Sequence, residues 1–306
     1  PELISPAPID NKYKTLDYSR LVPVLIEAMK EQQAQIAALK DIVSKLNYFQ
    51  TLEIEKCNEV GKESNYKTRL YINNGKGNFT LSSNKIPSIQ RNISVISAND
   101  YDGDGDIDVF VGSRSVVGTY GVNPNHLFLI NNGDGTFIDG TERFAYDLKD
   151  AGMVTNAIWA DVNNDNKKDL VTVSEWDTPK IYLNNGKGEF QQSISLPLEK
   201  NAQVSVILAH DFDQDGLADL MVGGRNVAGK YGQIPRSYLL KNLGGNRYQD
   251  ITNQIAPELA NLGLVKDAAW TDIDRDGFQD LIVIGEWMPI TIFLNKNGKL
   301  VNETAS

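Results

Sequence analysis

The sequence is poor in the residues from which most catalytic and redox sites are built. Its 306 residues include one cysteine, Cys57, and two histidines, His126 and His210. A single cysteine excludes an intrachain disulfide, although it does not decide whether the chain is exported. No Ser/His/Asp, Cys/His or phosphate-binding loop pattern stands out, since the Gly-x-Gly pairs belong to turn motifs. We therefore expect this chain not to be an enzyme.

Long apolar runs and clusters of basic residues are also missing. No apolar segment reaches the roughly 18 residues of a membrane-spanning helix, and no signal peptide is recognisable. We interpret a chain that begins at Pro1 instead of Met as processed or truncated. The net charge is −10 and no basic stripe is present, so neither a membrane span nor nucleic-acid binding is expected.

Four short loops that are rich in aspartate recur along the chain. They cover residues 100–108, 161–169, 211–219 and 272–280, and their first positions are separated by 61, 50 and 61 residues. Each loop places oxygen-bearing side chains at positions 1, 3, 5 and 9. With position 7 included, the candidate metal ligands are Asp100, Asp102, Asp104, Asp106, Asp108, Asp161, Asn163, Asp165, Lys167, Asp169, Asp211, Asp213, Asp215, Leu217, Asp219, Asp272, Asp274, Asp276, Phe278 and Asp280.

The chemistry of these loops favours calcium. Hard oxygen ligands that converge in a flexible loop suit Ca²⁺ better than a transition metal. Position 6 is glycine in three loops and Asn166 in the second, which are residues that tolerate a positive φ. An EF-hand is excluded, because position 12 carries no Glu and each loop is followed by a β-type apolar run. The pattern predicts a strand–loop–strand calcium site that is closed by the aspartate at position 9.

Up to four calcium ions are therefore expected, with the 161–169 site the weakest. That loop has one fewer carboxylate among positions 1, 3 and 5, and it also contains Lys167 and Lys168. The four loops hold 16 of the 40 acidic residues, so the acidity belongs to the sites rather than to a disordered tail. Extracellular calcium concentrations suit such loops better than cytosolic ones do.

The spacing of the loops belongs to a larger repeat. Residues 114–124 match residues 225–235 at an offset of 111, so a longer and a shorter unit alternate. An apolar strand, an Asn-Gly turn and an aromatic residue recur at 70–79, 128–137 and 181–190, with degenerate copies at 239–248 and 292–300, which is a hairpin signal. Each unit thus holds about four short strands, as in a propeller blade.

This pattern predicts an all-β fold, a β-propeller of four-stranded blades. Four blades with acidic loops and a half blade at 70–79 can be counted. The chain forms either an arc of a larger propeller or a five-bladed ring, and we favour the arc, because six to eight blades need more residues than the chain has. The blades are expected to occupy 65–306, after a linker or first strand at 48–64.

The first 47 residues differ in composition and period. Residues 1–12 are rich in proline, and an apolar seam with 4-3 spacing over 17–46 predicts an α-helix that forms a short coiled coil. Four heptads are marginal alone, so partner helices are expected, as in a homotrimer. A single amphipathic helix that packs on the propeller is the alternative.

Both repeated motifs resemble FG-GAP/VCBS repeats of bacterial secreted proteins, with integrin α-chain propellers as distant relatives. The resemblance covers roughly residues 65–300 and implies a calcium-bearing β-propeller with Ca²⁺ in the loops that join two strands of a blade. Such proteins serve adhesion, carbohydrate binding and assembly. Residues 16–39 also resemble the helical end of endosialidase-type tail-fibre chaperone domains, which form trimers, although there the helix usually closes the chain.

We interpret the chain as a calcium-stabilised binding or adhesion module, extracellular or on the cell surface, whose partner is a protein or a glycan. The connections 114–125 and 225–236 carry Arg, Tyr and Pro and repeat by 111, so a ligand face there is expected. The candidate ligand-binding residues are Arg114, Tyr120, Arg225, Tyr231, Trp176 and Trp287. Alternatively, the tyrosines pack between blades and the tryptophans pack at blade edges.

Two other functional classes remain open. The chain could be the non-catalytic part of a larger secreted carbohydrate-active enzyme, and Glu175 and Glu286 are the only carboxylates outside the loops that we would name for catalysis. It could also be a structural fibre component that is trimerised by the N-terminal helix.

Overall fold

The computed structural model describes residues 4–6, 14–16, 51–53 and 68–304, apart from 83, 187, 188, 200, 201 and 231. Contacts divide the chain into two units, Pro1–Thr51 with Tyr71–Ser82 and Leu52–Leu70 with Ser83–Ser306. The predicted helix and trimer at 17–46 lie outside the described residues, and so does most of the 48–64 segment. Five short strands precede the first complete sheet: β1 (Ile4–Pro6), β2 (Lys14–Leu16), β3 (Thr51–Glu53), β4 (Arg69–Asn73) and β5 (Phe79–Ser82).

In the first unit, β1 pairs with β2 in antiparallel register. The Asn-Gly turn of the predicted half blade lies between β4 and β5. There the backbone N–H of Asn74 donates to the carbonyl of Asn78 at 3.0 Å, as expected for a hairpin.

The second unit contains four antiparallel sheets of four strands each, in which the strands follow chain order. We call these sheets blades 1 to 4. Blade 1 comprises β6 (Asn92–Asn99), β7 (Asp108–Ser115), β8 (Leu127–Asn131) and β9 (Phe137–Asp139). Blade 2 comprises β10 (Met153–Ala160), β11 (Asp169–Glu175), β12 (Lys180–Asn184) and β13 (Phe190–Ser195). Blade 3 comprises β14 (Gln203–His210), β15 (Asp219–Asn226), β16 (Tyr238–Asn242) and β17 (Tyr248–Asp250). Blade 4 comprises β18 (Leu264–Thr271), β19 (Asp280–Glu286), β20 (Thr291–Asn295) and β21 (Leu300–Asn302).

Every acidic loop joins the first and second strands of its blade. The residue before each loop pairs with the aspartate at position 9, for example Asn99 with Asp108 and His210 with Asp219. The predicted strand–loop–strand position of the loops is confirmed. Because the loops are equivalent in all four blades, they lie at the same end of each sheet.

The hydrophobic core lies between blades. Phe110 and Phe128 of blade 1 cluster with Leu170 of blade 2, and equivalent clusters join blade 2 to blade 3 and blade 3 to blade 4. Residues of β7, β11 and β15 are nearly all buried, because the second strand of a blade is covered on both faces. Stacking of neighbouring blades therefore supplies the core, as the repeat predicts.

Two pairs of helical segments were not predicted from the sequence. A helical turn and a 3₁₀ helix follow blade 1, α1 (Thr141–Phe144) and Tyr146–Asp150, and the same pair follows blade 3, α2 (Thr252–Ile255) and Pro257–Asn261. Thr141 fixes the first pair, since its Oγ1 accepts the N–H of Phe128 at 2.8 Å, and Thr252 does the same for Leu239. These segments account for the longer unit in the alternating repeat.

Among the residues that the structure describes, no helix has the length and apolar character needed to cross a membrane.

Candidate functional site

The backbone of the four acidic loops follows one plan. Positions 4 and 6 are left-handed in every loop, with φ values from 59° to 92°. The expectation of a positive φ at position 6 is confirmed, and Asn166 fills it in the second loop with φ 64°. In each loop the N–H of position 6 donates to the carboxylate of position 1, as Gly216 does to Asp211 at 2.8 Å. The backbone of the turn therefore orients the carboxylate at position 1 without the help of a bound cation.

Position 7 contributes its backbone to the loop. The N–H groups of Asp106, Lys167, Leu217 and Phe278 donate to the position 5 carboxylates of Asp104, Asp165, Asp215 and Asp276 at 2.8 to 3.0 Å. This bond orients the carboxylate at position 5.

The aspartate at position 9 is buried in all four loops. One of its oxygens accepts the backbone N–H of the asparagine that ends the third strand, for example Asn131 to Asp108 and Asn242 to Asp219, both at 2.8 Å. In the third loop the other oxygen, Oδ2 of Asp219, is buried and finds no hydrogen-bond partner among the described residues, whereas the backbone N–H of Tyr101 gives Asp108 further support. Burial raises the pKa of both carboxyl groups to about 7.

The second and fourth loops differ at this position. Oδ2 of Asp169 accepts the N–H of Val162 at 3.0 Å, and Oδ2 of Asp280 accepts the N–H of Ile273 at 2.7 Å. Both oxygens of these aspartates are therefore already engaged by backbone amides. Burial raises the pKa of Asp169 only to about 6, since two amide donors stabilise its charge.

Three of the loops bring carboxylates together closely enough to hold a metal ion. The groups are Asp100 with Asp102 and Asp108, Asp211 with Asp213 and Asp219, and Asp272 with Asp274 and Asp276, each with ligand atoms within 4.8 Å. The second loop has no such group of carboxylates within the described part of the chain. A buried oxygen without a partner, in a site made only of oxygen donors, fits a hard divalent cation. By this test the third and fourth loops fit, since Oδ2 of Asp219 and Oδ1 of Asp272 are such oxygens, and the first loop offers an equivalent group of carboxylates.

Lysines contact three of these loops, and two of them, Lys241 and Lys296, were not predicted. Lys241 contacts Asp213 and lies 2.8 Å from Asp215, while Lys296 contacts Asp274 and lies 3.2 Å from Asp276. Lys167 of the second loop lies 3.5 Å from Asp165. Lys241 follows Leu239 and Leu240 and directly precedes the hairpin asparagine Asn242. Nothing else in the sequence around it indicates a contact with the acidic loop.

The asparagine at the end of each third strand also links neighbouring blades. The side-chain amide of Asn242 donates to the carbonyl of Val162, at position 2 of the preceding loop, at 2.8 Å. Asn295 reaches Phe212 in the same way at 2.7 Å, and Asn184 reaches Tyr101. These asparagines belong to the repeated hairpin motif, from which only a turn was predicted.

A second repeated constellation lies at the other end of the sheets, where strands two and three are joined. Arg114, at the end of β7 in blade 1, donates to Glu175 of blade 2, and the Tyr120 hydroxyl donates to the same carboxylate. Trp176 follows with φ 62°, a conformation that is rare for a bulky residue. Its ring meets Tyr120 edge to face at 5.5 Å, yet 59% of its surface stays exposed.

The same constellation recurs between blades 3 and 4. Arg225 lies 3.3 Å from Glu286, Lys266 pairs with the same carboxylate at 2.9 Å, and Trp287 has φ 57° and 71% exposure. Tyr231 lies outside the described residues. Five of the six predicted ligand-binding residues are thus placed in two equivalent inter-blade groups, and both tryptophans are surface residues rather than buried packing.

A polar cleft of about 390 Å³ opens between these groups. It contains residues from all four blades, lined by Arg114, Tyr120, Thr155, Glu175, Trp176, Gln203, Val204, Ser205, Arg225, Asn226 and Lys266. Gln203 and Lys266 were not predicted. They are the first-strand residues of blades 3 and 4 that lie beside the connecting turns.

The remaining candidates for chemistry are engaged in packing. His126 is buried, and its Nδ1 accepts the N–H of Ser113 at 3.1 Å, so it does have a partner. His210 stacks on Trp270 with ring centroids 5.3 Å apart.

With the blades and their loops defined, comparison with known proteins places the chain. Residues 60–111 and 161–222 match the model of the FG-GAP-like repeat. Both matched regions contain an acidic loop between the first two strands of a blade. These two regions of the chain are therefore FG-GAP-like repeats, and their strands belong to four-stranded sheets of the kind that form β-propeller blades.

Similarity to solved structures is weaker. An N-acetylglucosamine-recognising lectin of Agrocybe aegerita is 17% identical, with a TM-score of 0.47 over 82% of this chain and 64% of the lectin. The biofilm matrix protein Bap1 of V. cholerae is 13% identical, with a TM-score of 0.38 over 82% of this chain and 34% of Bap1. The chain thus spans less than two thirds of either protein, and similarity at this level carries no argument about ligands. No protein of curated function is significantly similar in sequence.

Proposed function

We propose that the protein is a calcium-stabilised binding or adhesion module that acts outside the cell or at its surface. Its ligand, a protein or a glycan, is recognised at the end of the blades where Arg114, Tyr120 and Trp176 meet. The observation that carries this proposal is Trp176, a largely exposed aromatic residue held at a positive φ beside a polar cleft. Strained backbone at an exposed aromatic side chain is typical of binding sites.

The opposite end of the blades supports a stabilising role for calcium. The first and third loops each bring three carboxylates, one of them the buried aspartate at position 9, to within 4.8 Å of one another. Calcium there would neutralise charges that otherwise repel one another, so binding would favour the folded state. Extracellular calcium concentrations would keep such sites filled, which is consistent with action outside the cell.

The glutamates at the binding end favour a non-catalytic role. Glu175 accepts hydrogen bonds from Arg114 and Tyr120, and Glu286 is paired with Arg225 and Lys266. Both carboxylates are thus engaged by side chains of a neighbouring blade, which suits a role in holding blades together. We therefore propose that both glutamates hold blades together and act in binding rather than in catalysis.

Trp176→Ala tests the proposal. The wild-type protein, with calcium present, is applied to a glycan array and to a panel of purified matrix proteins, and any positive ligand is then titrated. We expect at least one ligand whose binding falls about tenfold or more in Trp176→Ala, because a stacked aromatic contributes on the order of 1–3 kcal/mol. Tyr146→Ala, which removes an aromatic residue of similar exposure outside the cleft, is the control. Equal binding by all three proteins would refute this location of the site.

A further inference from the structure

The cleft between the blades is cationic although the chain as a whole is acidic. Arg114, Arg225 and Lys266 line it, whereas the net charge of the protein is −10. A local excess of positive charge on an acidic protein attracts anions selectively.

The two nearby glutamates do not cancel this charge. Glu175 is engaged by Arg114, and Glu286 is shared by Arg225 and Lys266. Three cationic side chains thus face two carboxylates, which leaves one positive charge for a ligand. Arg225 can supply donors as well, since it lines the cleft and a guanidinium carries five N–H groups in a geometry that suits an oxyanion.

The rest of the lining suits a ligand with many hydroxyl groups. Thr155 and Ser205 donate their hydroxyl protons to backbone carbonyls, so their oxygens can still accept hydrogen bonds. Trp176 offers an exposed ring at the rim, on which the apolar face of a sugar can stack. The volume of about 390 Å³ lies within the range of small-molecule sites.

We propose that this cleft binds an acidic saccharide, and that a hexuronate unit is the group it recognises. The carboxylate of the sugar contacts Arg225 and Lys266, and its ring lies against Trp176. An acidic peptide could pair with Arg225, but it would not stack on Trp176 or donate hydroxyl hydrogen bonds to Thr155 and Ser205. The inference rests on the proposed function and names the ligand class for the same site.

Calorimetric titration of the full chain in calcium-containing buffer tests the charge requirement. The probes are trigalacturonate, its fully methyl-esterified form and tri-glutamate. We expect the ester to bind about tenfold or more weakly than the acid, because it keeps the shape and loses the charge-assisted bonds. Equal affinity of acid and ester would overturn the acidic-saccharide assignment while leaving a glycan-binding face intact. Binding of tri-glutamate alone would overturn it in favour of a peptide, and loss of all binding by every probe would count against it as well.

Single substitutions test whether Arg225 and Lys266 are the residues that recognise the carboxylate of the sugar. Arg225→Gln and Lys266→Gln are each expected to reduce trigalacturonate affinity about tenfold and to leave the affinity for the ester unchanged. Arg247→Gln removes one positive charge from an exposed turn outside the cleft and should bind as the wild type does. Thermal melts confirm that each variant is folded, and Lys266→Gln remains informative if loss of the Arg225 ion pair prevents folding. Retained preference for the acid in both cleft variants would refute the assignment.

Discussion

At the scale of single residues, the ninth position separates two kinds of acidic loop. Asp108 and Asp219 each join two further carboxylates of their loops with ligand atoms within 4.8 Å, whereas Asp169 and Asp280 join no such group among the described residues and have both oxygens occupied by backbone amides. The difference alternates from blade to blade with the same 111-residue period as the sequence repeat. Counting carboxylates alone ranked only the second loop as weak, because a hydrogen bond from the backbone leaves no trace in composition.

Asp108→Asn is expected to remove one calcium site. The amide keeps the acceptor for Asn131 but replaces the charged oxygen that faces the cluster, so calcium affinity at this loop should fall at least about tenfold. Calorimetric titration with calcium would show one tight site fewer than in the wild type.

Asp169→Asn is the matched control in the second loop. Its amide would face a backbone N–H, which should cost about 1–3 kcal/mol of folding stability, but the number of tight calcium sites should not change. If both variants lost one tight site, the distinction between the two kinds of loop would be wrong.

Because His126 is buried, it should make the free energy of unfolding depend on pH, independently of the acidic loops. Burial lowers the pKa of His126 to about 4, and the positive charges of Arg91 and Lys180 act in the same direction. An unfolded histidine titrates near 6.5, so between about pH 6.5 and pH 4 the unfolded chain binds the additional proton. Stability should therefore be fully present above pH 6.5 and fall as the pH drops, by about 3 kcal/mol for this group.

His126→Asn isolates that contribution. Its Oδ1 can still accept the N–H of Ser113, but it does not titrate in this range. Urea unfolding from pH 7.5 to pH 4.5 should show a wild-type advantage that shrinks as the pH falls. An advantage that stayed constant over this range would contradict the buried neutral histidine.

Residue type predicts the backbone of the loops only in part. Glycine at position 6 indicated a positive φ, and the structure has it. Position 4 is also left-handed, yet Gln214 and Arg275 occupy it, and neither residue type favours that conformation. Their φ is imposed by the turn as a whole, so local propensity could not have revealed it.

At the scale of elements, the turns that carry Trp176 and Trp287 pack against the connection of the preceding blade. Gly121 of the blade 1 connection has φ 88° and lies under the Trp176 ring, since a Cβ at this position would be 3.3 Å from Cζ3. The sequence placed Trp176 on a candidate binding face but could not show that its ring rests on a glycine of another blade. That contact joins residues 55 positions apart and depends on the docking of two sheets.

Gly121→Ala should lower stability more than Gly118→Ala. Both glycines have positive φ, so either substitution should cost about 1–2 kcal/mol from backbone strain. A Cβ on Gly118 would meet nothing within 4 Å, whereas one on Gly121 would push against Trp176 and should add about 1 kcal/mol. Chemical denaturation of both variants measures the difference. Equal costs would mean that the tryptophan does not pack on this glycine in solution.

At the scale of the whole molecule, the repeat in the sequence predicted the blades and their order. The acidic loop marks two strands of each blade and the hairpin motif marks the other two, and the period of 111 indicated that blades alternate in kind. The helical segments after blades 1 and 3 were not predicted, because four-residue turns lack an amphipathic period. The arc of a larger propeller and the trimer through 17–46 stay predictions.

Calcium should stabilise the folded chain as a whole. A site that is saturated at 100 times its Kd adds about 2.7 kcal/mol, which corresponds to a rise in Tm of about 5–10 °C for a domain of this size. Melts in calcium, in chelator and in magnesium at equal ionic strength would measure the effect. Identical melting temperatures in calcium and in chelator would refute the proposal that calcium binding stabilises this protein.

The asparagine that ends each third strand has a consequence for how such a protein can grow. Its side chain reaches position 2 of the preceding loop, while its own backbone N–H holds position 9 of its own loop. Blades 2, 3 and 4 are thus each tied through this asparagine to the acidic loop of the blade before them. A gene duplication that copies whole blades would copy each asparagine together with an acidic loop of the kind that it contacts. Only the blades at the two ends of the array would then need a new contact. Lengthening by recombination would then require no compensating mutation in the interior of the array.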